Sequence, residues 1–379
     1  MSNELKLLNN WLINSGIQNN VDPDKGGFNA WYSLKNKSYP FIYSEITGYG
    51  ITTLLFLNSL KENENYLNKA KAAADWIINQ AMDESGGIYT RKFYESKNAE
   101  DHYSFDKGNI FTFDSGMVLF GMANLYENTK EEKYLEASKK IANFIIRLQK
   151  EDGKIFAFYN TKTDEKGDAD DKWSNQSGAF HAKVAMGILK TFEITNNKKY
   201  KKAAINLCNS AFEFQQDDGR FITNTRDKTT LQHPHCYTAE GLLYCGLKLD
   251  NKTFIDSAVK AISWSIMSQN DNGGIPQIFN PKGGFIKHER TDILAQVLRL
   301  AIFMKKKLNT GFDLTSIDKL KDRLTSFINV KENTQKGGLF YGFESNGQKY
   351  EDLNSWCTMF AINAFNYYYT DEPSIEYLI

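Results

Sequence analysis

The sequence predicts an all-α fold: six helical hairpins closed into a ring of twelve helices, with long loops carrying short β segments on one face. Three observations predict it. Glycines recur at Gly26-Gly27, Gly86-Gly87, Gly153, Gly219, Gly273-Gly274 and Gly337-Gly338, in steps of 55 to 66 residues. A period near this size marks one repeated supersecondary unit. Each glycine is preceded by one kind of helix and followed, after an aromatic loop, by another. The loop from first to second helix is long, whereas the return connections, such as Lys61 to Asn65 and Thr129 to Lys133, are short. Long loops on one face and tight turns on the other suit a scaffold with one functional surface.

The helix before each glycine is amphipathic. Tyr66, Ala73, Ala74, Ile77 and Ile78 precede Gly86; Tyr134, Ile141, Ala142, Ile145 and Leu148 precede Gly153. Tyr200, Ala203, Ala204, Leu207 and Ala211 precede Gly219; Phe254, Ala258, Ala261, Ile262 and Ile266 precede Gly273. Intervals of three and four place these side chains on one stripe, with Lys, Glu, Asn and Gln opposite, as in outer helices wet on one side. The first copy has its outer helix around Leu5 to Ile13 and the last around Leu314 to Val330. The helices after the loops are Ile51–Leu60, Met117–Tyr126, Ala179–Leu189, Ala239–Leu249, Ile293–Met304 and Met359–Tyr369. They are apolar around most of their circumference, so they are inner helices buried on nearly all sides. Twelve helices use almost the whole chain, and a closed ring cannot be divided without exposing its inner helices. The expectation is one domain over residues 1–379.

The chain has 379 residues, with 46 Lys and Arg balanced by 46 Asp and Glu. Nothing basic advertises nucleic acid. Met1 to Asn10 is too polar for a signal peptide, and no apolar run approaches the roughly 20 residues that cross a bilayer. A cytoplasmic protein with no membrane partner is expected, its oligomeric state open. Cys208, Cys236, Cys245 and Cys357 form no disulfide framework and read as buried thiols. His233, His235 and Cys236 with Cys357 lack the spacing of a structural zinc site. Asp164, Asp168, Asp170 and Asp171 lack the oxygen spacing of a calcium loop. No metal or cofactor is expected.

Candidate chemistry lies where each loop enters its inner helix. These places read Ser44-Glu45-Ile46-Thr47-Gly48-Tyr49, Phe113-Asp114-Ser115-Gly116, Trp173-Ser174-Asn175-Gln176-Ser177-Gly178 followed by His181, His233-Pro234-His235-Cys236 followed by Glu240, His288-Glu289-Arg290-Thr291-Asp292, and Glu351-Asp352-Leu353-Asn354-Ser355-Trp356. In a closed ring they are neighbours around one funnel. Loop aromatics make up much of the 14% Phe, Trp and Tyr, and rings beside carboxylates and amides suit sugars, whose C–H faces are apolar and whose hydroxyls demand hydrogen bonds. Asp and Ser here are also ordinary helix caps. Four of the 5 histidines lie at or beside these mouths, where imidazole suits proton transfer. The catalytic pool is Glu240, Asp292, Glu45, Asp114, His235 and His288. The substrate-binding set is Trp31, Tyr49, Trp173, His181, His233, Arg290, Asp352 and Trp356.

This organisation resembles the six-hairpin glycosidase superfamily, the (α/α)6 toroids, over nearly the whole chain. Trp173 to Phe180 faintly resembles the tryptophan-bearing segment of unsaturated-glucuronyl hydrolases, without that family's arginine-glycine pair. His233-Pro234-His235 faintly resembles the histidine-bearing loop of the N-acylglucosamine 2-epimerase group, without its glutamate spacing. The resemblance implies a carbohydrate-active enzyme. The favoured reading is a glycoside hydrolase acting on an oligosaccharide or a modified, uronic-acid-bearing sugar by carboxylate acid/base catalysis. The alternatives are an epimerase or polysaccharide lyase using His233, His235 and His288 as proton-transfer groups with Arg290 steadying an oxyanion, and a non-catalytic carbohydrate-binding toroid.

Overall fold

The computed structural model describes residues 2–94, 101–286, 288–331, 333–344 and 346–379. Among these residues twelve α-helices alternate in kind. The outer series is α1 (Asn3–Asn14), α3 (Glu64–Trp76), α5 (Glu132–Arg147), α7 (Lys198–Ala211), α9 (Lys252–Met267) and α11 (Leu314–Thr325). The inner series is α2 (Ser44–Leu60), α4 (Thr112–Thr129), α6 (Val184–Thr195), α8 (Gln232–Leu249), α10 (Thr291–Leu308) and α12 (Ser355–Tyr369). The outer helices bury one stripe: α5 buries Tyr134, Leu135, Ile141, Ala142, Phe144 and Ile145 while its lysines face water. Side-chain caps from Ser2, Asn63, Asn197, Asn251 and Asp313 start five of the six, each occupying an otherwise orphaned first-turn N–H. The inner helices are buried nearly all round, α4 at every residue from Thr112 to Leu125.

Three boundaries differ from the hydropathy reading. Five inner helices begin two to seven residues earlier, because their first turns are polar yet buried and carry no apolar signal. The sixth opens as a 3-10 turn, Ala179–Lys183, before α6 begins. Helix α11 stops at Thr325 rather than continuing to Val330.

The chain groups into two compact units. One comprises residues 1–17, 31–39 and 214–378; the other comprises 18–30, 40–213 and 379. In the second, the α2–α7 unit, α2 packs on α3 and α4, and α4 on α5 and α6. Its strand Phe41–Tyr43 pairs antiparallel with Arg91–Phe93, Tyr43 opposite Arg91, and Asn109–Phe111 pairs with the hairpin Phe158–Asn160 and Glu165–Gly167. In the first, the α8–α12 unit, α8 packs on α9 and α10, α10 on α11 and α12, and α12 on α1. Its strands Trp31–Ser33, Asp352–Asn354 and Leu339–Phe340 form one sheet, with Asp352–Asn354 central. Thr230–Leu231, Ile278–Asn280 and Gly284–Ile286 form another. None of the described helices is long and apolar enough to cross a membrane. The four cysteines are free and buried.

The glycine of each repeat presses on the backbone of the following outer helix. Gly219 has φ +97°, and a Cβ built there would lie 2.6 Å from the carbonyl oxygen of Lys260 on α9. Gly337 meets the carbonyl of Leu7 on α1 in the same way. A glutamine clasps the contact in four copies: Gln18, Gln149, Gln215 and Gln269 each donate from Nε2 to the glycine carbonyl and to a carbonyl of the next outer helix. Gly219→Ala meets both left-handed strain and a backbone clash. It is expected to cost about 2–4 kcal/mol, read as a lower urea midpoint with unchanged m-value.

Candidate active site

In the α2–α7 unit the chain turns from strand Phe41–Tyr43 straight into α2, Ser44 N–H donating to Thr90 O at 2.9 Å. Glu45 therefore becomes the second residue of an inner helix, and it is buried. Thr112 N–H donates likewise to Ala157 O, which makes Asp114 the third residue of α4, also buried. Gly48 lets the two helices close: a Cβ there would stand 2.8 Å from the Cα of Val118. The two carboxyls consequently feel each other's charge.

Their surroundings differ. Burial, then the charge of Glu45, pushes Asp114 well above the ordinary carboxylate range, offset only in part by Thr90, Arg91 and Lys172. Its Oδ2 is buried without a hydrogen-bond partner among the described residues. Burial also raises Glu45, offset in part by Tyr43, Tyr49, Lys183 and Arg91. Arg91 lies 5.0 Å from the ring centres of Phe41 and Tyr43 and 4.3 Å from that of Tyr103, with Asp101 at 3.7 Å. Lys172 donates to the Tyr103 hydroxyl at 2.8 Å. Both carboxyls are pushed up, by burial first, and two neighbouring carboxyls in unlike surroundings suit proton transfer.

Trp173 stands edge-on to Phe180 at 5.0 Å. His181 is buried against Phe180, its Nδ1 accepting from Gly178 N–H at 3.4 Å, and burial pushes its imidazole down to about 3. It is a neutral core group rather than a surface offered to ligand.

In the α8–α12 unit a second polar cluster forms around Asp292, which is completely buried. Its Oδ1 accepts from Arg290 Nε at 3.1 Å and from Ile293 N–H at 2.9 Å. Its Oδ2 accepts from Arg290 Nη2 and from Trp356 Nε1 at 3.3 Å. Arg290 Nη1 faces His233 Nδ1 at 3.3 Å and lies over Tyr341 at 5.0 Å. Trp356 stands edge-on to Trp31 at 6.3 Å and to Tyr341 at 5.8 Å. Asp352 is half-buried beside Ser33, and burial raises its carboxyl. His288 is half-buried, its carbonyl accepting from Gln277 N–H.

Three members of the expected catalytic pool are engaged by the fold itself. All four acceptor directions of the Asp292 carboxylate are occupied, so it anchors Arg290 and Trp356 instead of offering a base. Glu240 lies two turns into α8, fully buried in an ion pair with Arg299, away from the mouth of its helix. His235 accepts from Phe221 N–H through Nδ1 at 3.1 Å and meets Ala261 O through Nε2 at 3.0 Å, so both ring nitrogens tie backbone segments together. Burial pushes it down to about 4. The sequence reading did not single out Arg91 or Lys183. Lys183 left the clearest signal, a charge interrupting the apolar run from Ala179 to Leu189.

The sequence model of Glycosyl hydrolase family 76 matches residues 17–193, the stretch that carries Glu45, Arg91, Asp114 and Lys183. No curated protein matches the chain. The cellobiose 2-epimerase of Bacillus thermoamylovorans B4167 matches with a TM-score of 0.75 at 12% identity, over 96% of this chain and 98% of that one. The unsaturated glucuronyl hydrolase of Bacillus sp. GL1 matches at 0.66 and 12%, over 95% of each. An inactive variant of the α-1,6-mannanase of Salegentibacter sp. HEL1_6, with two aspartates replaced by asparagine and α-1,6-mannotriose bound, matches at 0.61 and 10%, over 95% and 97%.

Two variants probe the two units. A carboxyl whose folded pKa lies above its unfolded value holds extra protons when folded. Stability is then full at acid pH and is lost as pH rises through the folded value. Asp114→Asn removes that loss. Its Tm should equal wild type at low pH and exceed it by about 2 °C at alkaline pH, measured by calorimetry across pH. Arg299→Met strands the Glu240 carboxylate in the core and should cost about 3–5 kcal/mol in urea unfolding. The likeness to solved structures, with the family match, shows a six-hairpin glycosidase-like (α/α) toroid fold and supports a carbohydrate-active enzyme built on it.

Proposed function

We propose that the protein is a glycoside hydrolase in which Asp114 is the general acid and Glu45 the ionised partner, acting on an α-mannosidic oligosaccharide. The observation that carries this is the pair of buried carboxyls in the first turns of α2 and α4, in unlike surroundings: burial and Glu45 push Asp114 well up, whereas Tyr43, Tyr49, Lys183 and Arg91 partly offset the burial of Glu45. Asp114 would protonate the leaving oxygen. Glu45 would face the developing positive charge at the anomeric carbon, as base or nucleophile. The family match covers this stretch, and the mannanase with two replaced aspartates names the substrate to try first. Here α4 offers a single aspartate, between Phe113 and Ser115, so the second carboxyl is assigned to α2.

Epimerisation or elimination needs an unprotonated ring nitrogen facing substrate. Both nitrogens of His235 are engaged. Arginine only donates, so its contact with His233 Nδ1 requires that nitrogen to accept and puts the ring proton on Nε2. The engagement of His233 and His235 therefore favours hydrolysis over proton abstraction by these two residues. Among the described residues, no three His, Cys, Asp or Glu side chains gather as a metal set.

Wild-type protein incubated with α-1,6-mannotriose should release reducing ends without deuterium uptake at carbon in heavy water. Asp114→Asn and Glu45→Gln should each lower kcat by about 10³-fold or more with KM little changed. Exchange at carbon without cleavage would replace this reading with epimerisation, and binding without turnover would replace it with a sugar-binding role.

A further inference from the structure

We propose that the protein has a second saccharide site: an amide-lined groove along outer helix α3 that takes a neutral oligosaccharide. The groove shares no residue with the candidate active site. It rests on the carbohydrate-active fold and not on the roles given to Glu45 and Asp114.

The groove holds about 840 Å³ between α3 and the turn from Gln18 to Gly26, within the roughly 300–1,000 Å³ usual for small-ligand sites. An extension of the repeat builds one wall. In three copies the glutamine clasp joins residues four apart: Gln149 and Gly153, Gln215 and Gly219, Gln269 and Gly273. In the first copy it joins Gln18 and Gly26, eight apart, and the longer turn brings Asn20, Asp22, Pro23 and Lys25 to the groove. The turn is fixed against the helix. A Cβ on Gly26 would run into the carbonyl of Ala72, and Gln18 donates to Lys69 O at 2.9 Å. Trp76 Nε1 donates to Asp24 at 3.3 Å, and Lys92 meets the same carboxylate at 2.6 Å. Both walls stand ready before any ligand arrives, so binding orders little of the chain.

The lining selects the ligand. Seven of its 16 residues are Asn or Gln. Asn20, Asn65, Asn68 and Asn79 are exposed, and their side-chain amides make no hydrogen bond among the described residues. The charged groups are largely matched within the protein. Asp75 accepts from Lys133 at 2.6 Å and from the Tyr134 hydroxyl at 3.3 Å. Lys71 meets Glu131 at 2.7 Å, and Lys69 reaches Gln18 Oε1 at 3.4 Å. Asp22 and Lys25 remain, one of each sign. A polyphosphate or nucleic acid needs an excess of cations. A free amide both donates and accepts, as a sugar hydroxyl does, so the two pair in either sense. Asn65, Asn68, Ala72, Trp76 and Asn79 all line the groove, and their spacing of three and four sets them along one side of the helix. At 1.5 Å per residue that stripe runs about 20 Å, the reach of several linked sugar rings rather than one.

The test is calorimetric titration of the Glu45→Gln protein with α-1,6-mannotriose, cellotriose and maltotriose, each up to about 10 mM, and with trigalacturonate as the charged control. A neutral trisaccharide should bind with a component that the double variant Asn68→Ala, Asn79→Ala weakens about tenfold or more. Deleting residues 20–23 leaves Asn19-Asp24-Lys25 before Gly26, the length of the other glutamine turns, and should remove the same component. The alanine pair, on exposed positions, carries the test should the shortened turn fail to fold. Neutral sugars whose binding neither variant changes overturn the proposal. So does binding of trigalacturonate alone, and so does no binding at all. The outcome is separable from the proposed reaction: a sugar bound in the groove without hydrolysis of mannotriose overturns only the hydrolase reading, and hydrolysis with binding untouched by both groove variants overturns only the groove.

Discussion

The structure depends on one contact repeated along the chain: a glycine in the left-handed region laid against a carbonyl of the next outer helix. A Cβ built there would clash with that carbonyl, so the chain passes the helix at a range only glycine allows. The glutamine clasps add two hydrogen bonds per copy across the same seam. Everything downstream inherits this placement. The residue soon after the glycine gives its N–H to a side chain in the first turns of the inner helix: Phe28 to Thr47, Ile88 to Ser115, Phe221 to His235 and Leu339 to Thr358. The start of the inner helix is then pinned by a second bond, from Ser44, Thr112, Gln232 or Thr291 to a carbonyl of the following loop.

These bonds turn the head of each inner helix into a set of slots. The pinned residue comes first, and the position after it holds Glu45, Phe113, His233 or Asp292. Two positions further on, Thr47, Ser115 and His235 share one structural duty. His235 is engaged because its slot is the acceptor slot, whatever its chemistry. No feature of the local sequence separates it from His233, two residues earlier. The difference appears only when the copies are superposed by their hydrogen bonds.

The two clusters handle charge in opposite ways. In the α8–α12 unit, Arg290 and Trp356 satisfy Asp292 fully, and such a network is rigid and electrically quiet. In the α2–α7 unit Asp114 keeps a buried oxygen without a hydrogen-bond partner among the described residues. Such an oxygen costs stability, and a fold retains it where the strained protonation state has a use. On the proposed function, that contrast is what separates the candidate site from the Asp292 cluster.

The helices were legible because burial on one side or on all sides writes a period of three and four into the residue types: Ile141, Ala142, Ile145 and Leu148 could not be mistaken. The starts of the inner helices were not, since Glu45, Thr47 and Gly48 are polar or small yet buried, and pattern reading equates burial with apolarity. Glu45 and Asp114 were legible as candidates but not separable from Glu240, because an ion pair with Arg299, 59 residues away, leaves no local trace. Lys183 was visible as an anomaly and passed over. A lone charge inside an apolar run marks either a buried ion pair or a site, and only a partner across the helix interface tells which. Lys190 meets the carboxylate of Glu127, and the Lys183 ammonium nitrogen lies over the ring of Tyr49.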